Sequence, residues 1–290
     1  MTTPLLPPPA AQVDAARSGS RRRVALVSAT LATVVVCIAA LLALIEVAVF
    51  RRRGQEVDSD AMDSVDGSSA TVMTLLDGLG KVSIGTAAVV LGLCVVLALG
   101  RRRLPHAIGA VVIVIGANIT TQVLKRAAID RPDLGVGLEL DNSLPSGHTT
   151  LVLSLVAAAL LVAPHAARLA IASAGALVTT VTGASTVVAD WHRPSDVLAA
   201  LLVVPIWAAL VVLCLGWTSP AAEEVRRGRW HGAVAVVGAG LAGVLLLGVG
   251  VRPDQGWADL STAAVMLAAI GLVAAMSVGV CARLATSFAP

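Results

Sequence analysis

WHRPSDVLAALLVVPIWAALVVLCLGW, residues 191–217, joins two kinds of sequence that seldom touch. Beyond Asp196 it is free of charged residues and long enough to cross a bilayer, which takes about 20 apolar residues in a helix. Just before that run stand His192, Arg193 and Asp196. Ionisable groups beside a membrane span are either solvated at its boundary or kept for chemistry. The same design recurs upstream, where Pro145-Ser146-Gly147-His148 opens another apolar stretch and Ser185 closes a third.

Working outward, the composition agrees with a membrane protein. The chain has 290 residues, 57% hydrophobic and 13% charged, with mean hydropathy +0.88; soluble domains carry roughly 25% charged residues. Eight apolar runs are expected to span, at roughly 24–50, 71–99, 107–124, 149–163, 169–189, 195–217, 232–250 and 261–282. The expected fold is an all-α polytopic helical bundle of about eight transmembrane helices. Residues 1–23, rich in Pro and Ala, read as a disordered tail ending in Arg21-Arg22-Arg23. The run 24–50 exceeds the roughly 7–15 residues of a signal-peptide core, so it reads as a retained first span. Trp191, Trp217, Trp230 and Trp257 lie near span ends, where indoles anchor.

Net charge is only +3, and the basic residues sit in short clusters beside apolar runs, which argues for orientation signals and not for a nucleic-acid partner. Arg101-Arg102-Arg103, Arg168, Arg226, Arg227, Arg229 and Arg283 share a side with the N-terminal cluster, so that side is expected to be cytoplasmic. Glu56, Asp58, Asp60, Asp63, Asp66, Asp130, Asp133, Glu139, Asp141, Asp254 and Asp259 then fall outside, together with both histidine motifs. Arg51-Arg52-Arg53 breaks the pattern by lying on the outer side. The 51–70 loop reads as a flexible lid or lipid-entry segment, or, on the plainer reading, as a loop whose acids are solvated. Cys37, Cys94, Cys214 and Cys281 are isolated within apolar runs and read as small packing residues.

The chemistry can be assembled from residue types alone. Phosphoryl transfer needs cations on the nonbridging oxygens, an in-line nucleophile and a proton for the leaving oxygen. Lys125, Arg126 and Arg131 follow the third span and supply cations. Ser146 and Gly147 begin the fourth, where free helix-start amides point at an anion, Gly147 permits close approach, and Ser146 caps the helix or bonds a phosphate oxygen. His192 and Asp196 are four apart across Pro194 at a helix start. A carboxylate there holds one imidazole nitrogen and leaves the other to attack phosphorus. Asp190, two residues before His192, is placed to tune its charge. His106, His165 and His231 fall in loops on the opposite side and read as non-catalytic.

Taken together, Lys125 with Arg131-Pro132, Pro145-Ser146-Gly147-His148, and Ser185 with His192 and Asp196 resemble the type 2 phosphatidic acid phosphatase (PAP2) superfamily of membrane lipid phosphatases. The resemblance covers about residues 71–217. It implies a six-helix core within residues 24–217, with residues 218–290 adding a cytoplasmic loop and two further spans. It also implies that His192 is the nucleophile forming a phosphohistidine and that His148 is the acid and base. Lys125, Arg131, Ser146, Gly147 and Ser185 would hold the phosphate, without a metal or other cofactor. The implied substrate is a lipid monophosphate or diphosphate met at the extracytoplasmic face of the plasma membrane: polyprenyl diphosphate, phosphatidic acid or phosphatidylglycerol phosphate.

The chain departs from the family pattern twice. Five residues, not six, separate Lys125 from Arg131, and one residue turns a helical side chain by ~100°. Either the chain relaxes near Pro132, or Arg126 shares the role of Lys125. Thr186 stands where the family has a phosphate-binding Arg, a non-conservative loss. Arg193 is the candidate replacement, on the expectation that two helical turns put it on the face of Thr186, ~10 Å further along the axis. Two other readings arise from these departures: a lipid phosphotransferase of the same fold, or a non-catalytic lipid-binding or transport protein.

Overall fold

The architecture comes from a computed structural model that describes residues 9–136, 142–218 and 229–286, with side chains described over 23–136, 142–216 and 231–286. Glu139, Asp141, Arg226 and Arg227 lie outside the described residues. The side chains of Trp217, Trp230 and Arg229 lie outside those whose side chains are described.

The chain is an all-α bundle. Its helices are α1 (Pro9–Ala48), α2 (Arg52–Asp63), α3 (Ser69–Lys81), α4 (Ile84–Gly100), α5 (Leu104–Val123), α6 (Gly147–Val162), α7 (His165–Val188), α8 (Pro194–Thr218), α9 (Arg229–Gly248) and α10 (Leu260–Thr286). Two-residue strands β1 (Val65–Asp66) and β2 (Arg252–Pro253) pair antiparallel. Six helices are long and apolar enough to span: α1, α5, α7, α8, α9 and α10. The pair α3 and α4, bent by 48°, is a seventh candidate, as a broken span or a re-entrant loop, and the shorter apolar α6 is an eighth. The run expected as a single span at 71–99 is therefore two helices. Ser83 caps α4, accepting from Thr86 N–H while the Thr86 hydroxyl accepts from Ser83 N–H, a reciprocal capping box that starts a new helix inside the apolar run.

The bundle is turned inside out relative to a soluble protein. Val35, Val36 and Leu42 on α1, Val89, Leu93 and Val96 on α4, and Val244 and Leu247 on α9 face outward. In water that surface would be costly; in hydrocarbon it is neutral, and only backbone polar groups must be satisfied internally. α8 is the axial helix, with Val197, Ala200, Leu201 and Val204 fully enclosed by α1, α5, α6 and α10.

Pro205 lies inside α8 and can make no bond to the carbonyl of Leu201. The Ser277 hydroxyl of α10 donates to that carbonyl at 2.8 Å, as a membrane helix requires when its ladder is interrupted. Ser277→Ala is expected to cost about 1 kcal/mol, in the range of interhelical hydrogen bonds in membranes. Thermal unfolding in detergent measures it, and a Pro205→Ala background should abolish the loss.

Two further segments differ from the sequence-based expectations. Helix α1 begins at Pro9, so regular structure reaches back through most of the expected tail. The 51–70 loop contains α2, an amphipathic helix whose Gln55, Asp58 and Met62 are buried. The chain doubles back so tightly there that a Cβ on Gly54 would stand 1.8 Å from the Val47 carbonyl oxygen, so only glycine fits. The last two helices pack into the bundle, α9 on α7 and α10 on both α8 and α9. At the end of the molecule carrying the histidine motifs, β1 pairs with β2 and the Thr71 hydroxyl donates to the Val249 carbonyl, tying the connection after α9 to that before α3.

Candidate active site

The site forms where α5, α6 and α8 end or begin at one end of the bundle. Polar contacts set the position of α5: Asn118 donates to Ser154 of α6, the Thr121 and Thr150 hydroxyls bond at 2.9 Å, and the Trp207 indole N–H of α8 donates to Thr120. Beyond Val123 the helix widens into a π turn over Leu124–Ala128, closed by Ile129 N–H to the Leu124 carbonyl. An i→i+5 turn shifts the phase of the residues after it by about one position relative to an α-helix. Lys125 is half-buried and within electrostatic range of His148, whereas Arg126 is exposed. The π turn thus falls within the Lys125–Arg131 segment, and of Lys125 and Arg126 it is Lys125 that lies within electrostatic range of His148.

Asn142 staples this turn to the next motif. Its amide donates to the carbonyls of Lys125 and Ile129, both at 3.1 Å, and its side-chain oxygen accepts from Leu144 N–H. Ser146 then caps α6: its buried hydroxyl accepts from Thr149 N–H and from the Thr149 hydroxyl. Between its two expected roles, Ser146 takes the cap. The amides of Gly147 and His148 precede the first intrahelical bonds of α6 and point out of its start. A Cβ on Gly147 would meet only Gln122, at 4.0 Å, so the space before these amides is open to an anion. His148 is half-buried, its ring 5.5 Å from that of Trp191.

The third motif bends back onto the second. Helix α7 stops at Val188, with Ser185 buried in its last turn. Trp191 and His192 N–H both donate to the Thr186 carbonyl, and Asp190 takes φ +56° in the reversal. Helix α8 restarts at Pro194, a favoured first helical residue. Asp196 N–H donates to the Arg193 carbonyl, and Ser146 N–H donates to the Asp196 carbonyl at 2.9 Å, locking the two motifs together.

One oxygen of Asp196, Oδ2, collects three partners: Nδ1 of His192 at 3.1 Å, Arg193 N–H at 3.0 Å and the Ser143 hydroxyl. Asp196 therefore caps the start of α8 and orients the imidazole at once. His192 is buried, and its Nε2 has no hydrogen-bond partner among the described residues. No hydrogen bond or ion pair joins Asp190 to His192. The acids facing Asp190 are Asp63 and Asp66, and burial followed by those two charges raises its carboxyl above the ordinary value.

Thr186 and Arg193 are not on one helix face, because the helix breaks between them. Thr186 is fully buried and its hydroxyl donates to the Gly183 carbonyl. Arg193 arrives through the reversal instead, buried, beside Arg131. One terminal guanidinium nitrogen, NH1, of each arginine is buried without a hydrogen-bond partner. Burial, then the charge of Arg193, pull the Arg131 guanidinium below its ordinary value, while Asp58 and Asp196 oppose them. Two cations within electrostatic range of each other, each with an unspent donor, fit a shared anion. Arg193→Ala is expected to lower kcat/KM for a phosphate ester about 10–100-fold, with Arg193→Lys restoring only part because an ammonium cannot bind bidentately. Steady-state kinetics of the two variants decide; unchanged constants would remove Arg193 from the site.

Asp58, read from sequence as solvated, is buried against the start of α8. Its carboxylate accepts from Ser195 N–H at 2.9 Å and from the Ser195 hydroxyl. Burial pushes its carboxyl up to about 6, with Asp196 adding to the rise and Ser195 and Arg131 opposing it. A folded value above the ordinary 3.8 means that proton uptake favours the fold: the contribution is complete below about pH 4 and is lost as pH rises through about 6. The interval is worth ~3 kcal/mol. Asp58→Asn keeps the shape and removes the charge, so it is expected to match wild type near pH 4 and to exceed it in thermal stability near pH 7. Equal stability at both pH values would overturn this.

Sequence reading missed Asp58, Asn142 and Ser143. The last two had a signal, since they directly precede Leu144-Pro145-Ser146. Among the described residues no three His, Cys, Asp or Glu side chains converge as a metal site.

A family model described as PAP2 superfamily matches residues 106–220, which contain both histidine motifs and the Lys125–Arg131 segment. No curated protein and no solved structure matches the chain.

Proposed function

With residues 106–220 a PAP2-superfamily segment set in a helical membrane bundle, we propose that the protein is a lipid phosphate phosphatase working through a phosphohistidine. The observation that carries this reading is an Asp196-held His192 at the same end of the bundle as Arg131 and Arg193, each of which keeps one buried guanidinium nitrogen without a hydrogen-bond partner. Lys125, the Gly147 and His148 amides and the two arginines take the phosphoryl oxygens, with Ser185 at the edge of the cradle.

His192 Nε2 attacks phosphorus, forming the N–P bond as the P–O bond to the lipid breaks, while Nδ1–H remains on Asp196. His148 gives its proton to the departing oxygen. It then takes a proton from water, whose oxygen attacks phosphorus and releases His192 and inorganic phosphate. Arg131, Arg193 and Lys125 balance the charge on the equatorial oxygens throughout. The positive-inside distribution of arginines supports an extracytoplasmic site in the plasma membrane. Polyprenyl diphosphate, phosphatidic acid and phosphatidylglycerol phosphate all present the required headgroup.

The test is release of inorganic phosphate by purified protein from these three lipids, with chelator present and the His192→Ala protein as blank. Release by wild type alone supports the reading. No release from any lipid, by folded protein that binds lipid, rejects it.

A further inference from the structure

The Arg51-Arg52-Arg53 triplet has no place in the phosphatase chemistry and contradicts the orientation read from the other arginines. The structure gives it a setting. Between the end of α1, α2, the start of α8 and the first half of α10 lies a cleft of about 750 Å3, within the ~300–1,000 Å3 typical of ligand pockets. Its interior is apolar: Val47, Ala61, Leu198, Val265, Met266 and Ala269 line it. Arg51 and Arg53 line the same cleft. Arg51 pairs with Glu46 and Arg52 with Glu56, whereas Arg53 has no ion pair among the described residues. Apolar walls with cations alongside fit an anionic amphiphile, whose chain and headgroup want those two surroundings.

The cleft also adjoins the phosphate site. Asp58 and Ser195 both line it. Ser195 immediately precedes Asp196, and Asp58 is within electrostatic range of Arg131. One hydrogen-bonded pair thus separates an apolar groove from the cations that hold phosphate. Helices α1, α2 and α10 lie outside the family-matched residues 106–220, so three of the four walls are additions to the matched segment.

On the phosphatase reading, we propose that this cleft receives the hydrocarbon chain of the lipid phosphate, with Arg51 and Arg53 drawing its headgroup toward the site. The chain leaves the bilayer for walls as apolar as its own surroundings, so it costs little to move, and the arginines supply the direction. The two helices at the end of the sequence then have a part in substrate recognition through α10.

The experiment uses full-length protein in nanodiscs of neutral lipid, with a lipid phosphate carrying a photoreactive diazirine in its chain. Crosslinks mapped by peptide mass spectrometry are expected on 44–48, 57–61 and 261–270. Labelling confined to the outward faces of α4, α5 or α9 would overturn the proposal. In parallel, Ala269→Trp and Ala61→Trp fill the cleft from opposite walls. Each is expected to lower kcat/KM at least ~10-fold for a long-chain lipid phosphate and less than ~2-fold for phenyl phosphate, whose retained turnover shows the site intact. Arg51→Gln with Arg53→Gln should raise KM several-fold for the lipid only. Unchanged lipid kinetics in all these variants would overturn the proposal. If wild type hydrolyses neither substrate, the phosphatase reading fails, while the crosslinks on wild type still decide whether a lipid chain occupies the cleft.

Discussion

His192→Ala is expected to reduce phosphate release to the uncatalysed background, a loss of at least ~10⁴-fold, as removal of an attacking group from a coupled catalytic set produces. The reason is geometric. His192 Nε2 has no partner among the described residues, its Nδ1 is held by Asp196, and the same Asp196 lies within electrostatic range of Arg131. Removing the ring leaves the cations and helix-start amides in place, so lipid phosphate should still bind with a similar Kd. Asp196 keeps its contacts to Arg193 N–H and the Ser143 hydroxyl, so the start of α8 stays capped. Rapid quenching with labelled substrate adds a direct readout: wild type should yield an acid-labile, base-stable phosphoprotein that the variant lacks. Near-normal turnover in the variant would remove the mechanism.

His148→Ala is expected to lower kcat by ~10²–10⁴-fold, the range for a lost general acid and base. The half-buried ring stands at the α6 helix start and lies within electrostatic range of both His192 and Lys125. It is near the attacking imidazole but shares no hydrogen bond with it, as suits a group serving the leaving oxygen. The loss should therefore depend on the leaving group. A lipid alkoxide needs its proton and should suffer the full effect, whereas p-nitrophenolate leaves readily and should give faster phosphoprotein formation than the lipid. Dephosphorylation should be slow with both, because the same ring activates water. An equal loss in the first step for both leaving groups would take His148 out of the acid role.

The membrane class was legible because composition is a bulk property: apolar runs of span length need no partner to be recognised. The histidine motifs were legible because helix starts are local. Pro194 as first helical residue, Asp196 three residues after Arg193 and Ser146 three before Thr149 are short-range capping relations, written in consecutive residues. The setting of Arg193 was not legible. The continuous helix assumed to carry Thr186 and Arg193 on one face breaks after Val188, because the reversal there is set by how α7 and α8 return to the bundle. The π turn after Val123 was hidden likewise, since its sequence, Leu-Lys-Arg-Ala-Ala, carries no breaker.

The sequence by itself determined that this chain is a helical membrane protein, that its two histidine motifs share one end, and that His148, His192 and Asp196 stand at helix starts. Those properties come from side-chain transfer energies and from bonds spanning at most four residues. Tertiary structure alone decided that Lys125 comes within electrostatic range of His148, that Arg131 and Arg193 come within range of each other, and that α1, α2 and α10 wall an apolar cleft at the start of α8. It also decided the fate of Asp58, whose partner Ser195 lies 137 residues away. A buried carboxylate and a solvated one are the same letter in a sequence, and only the neighbours brought by folding set its surroundings and its charge.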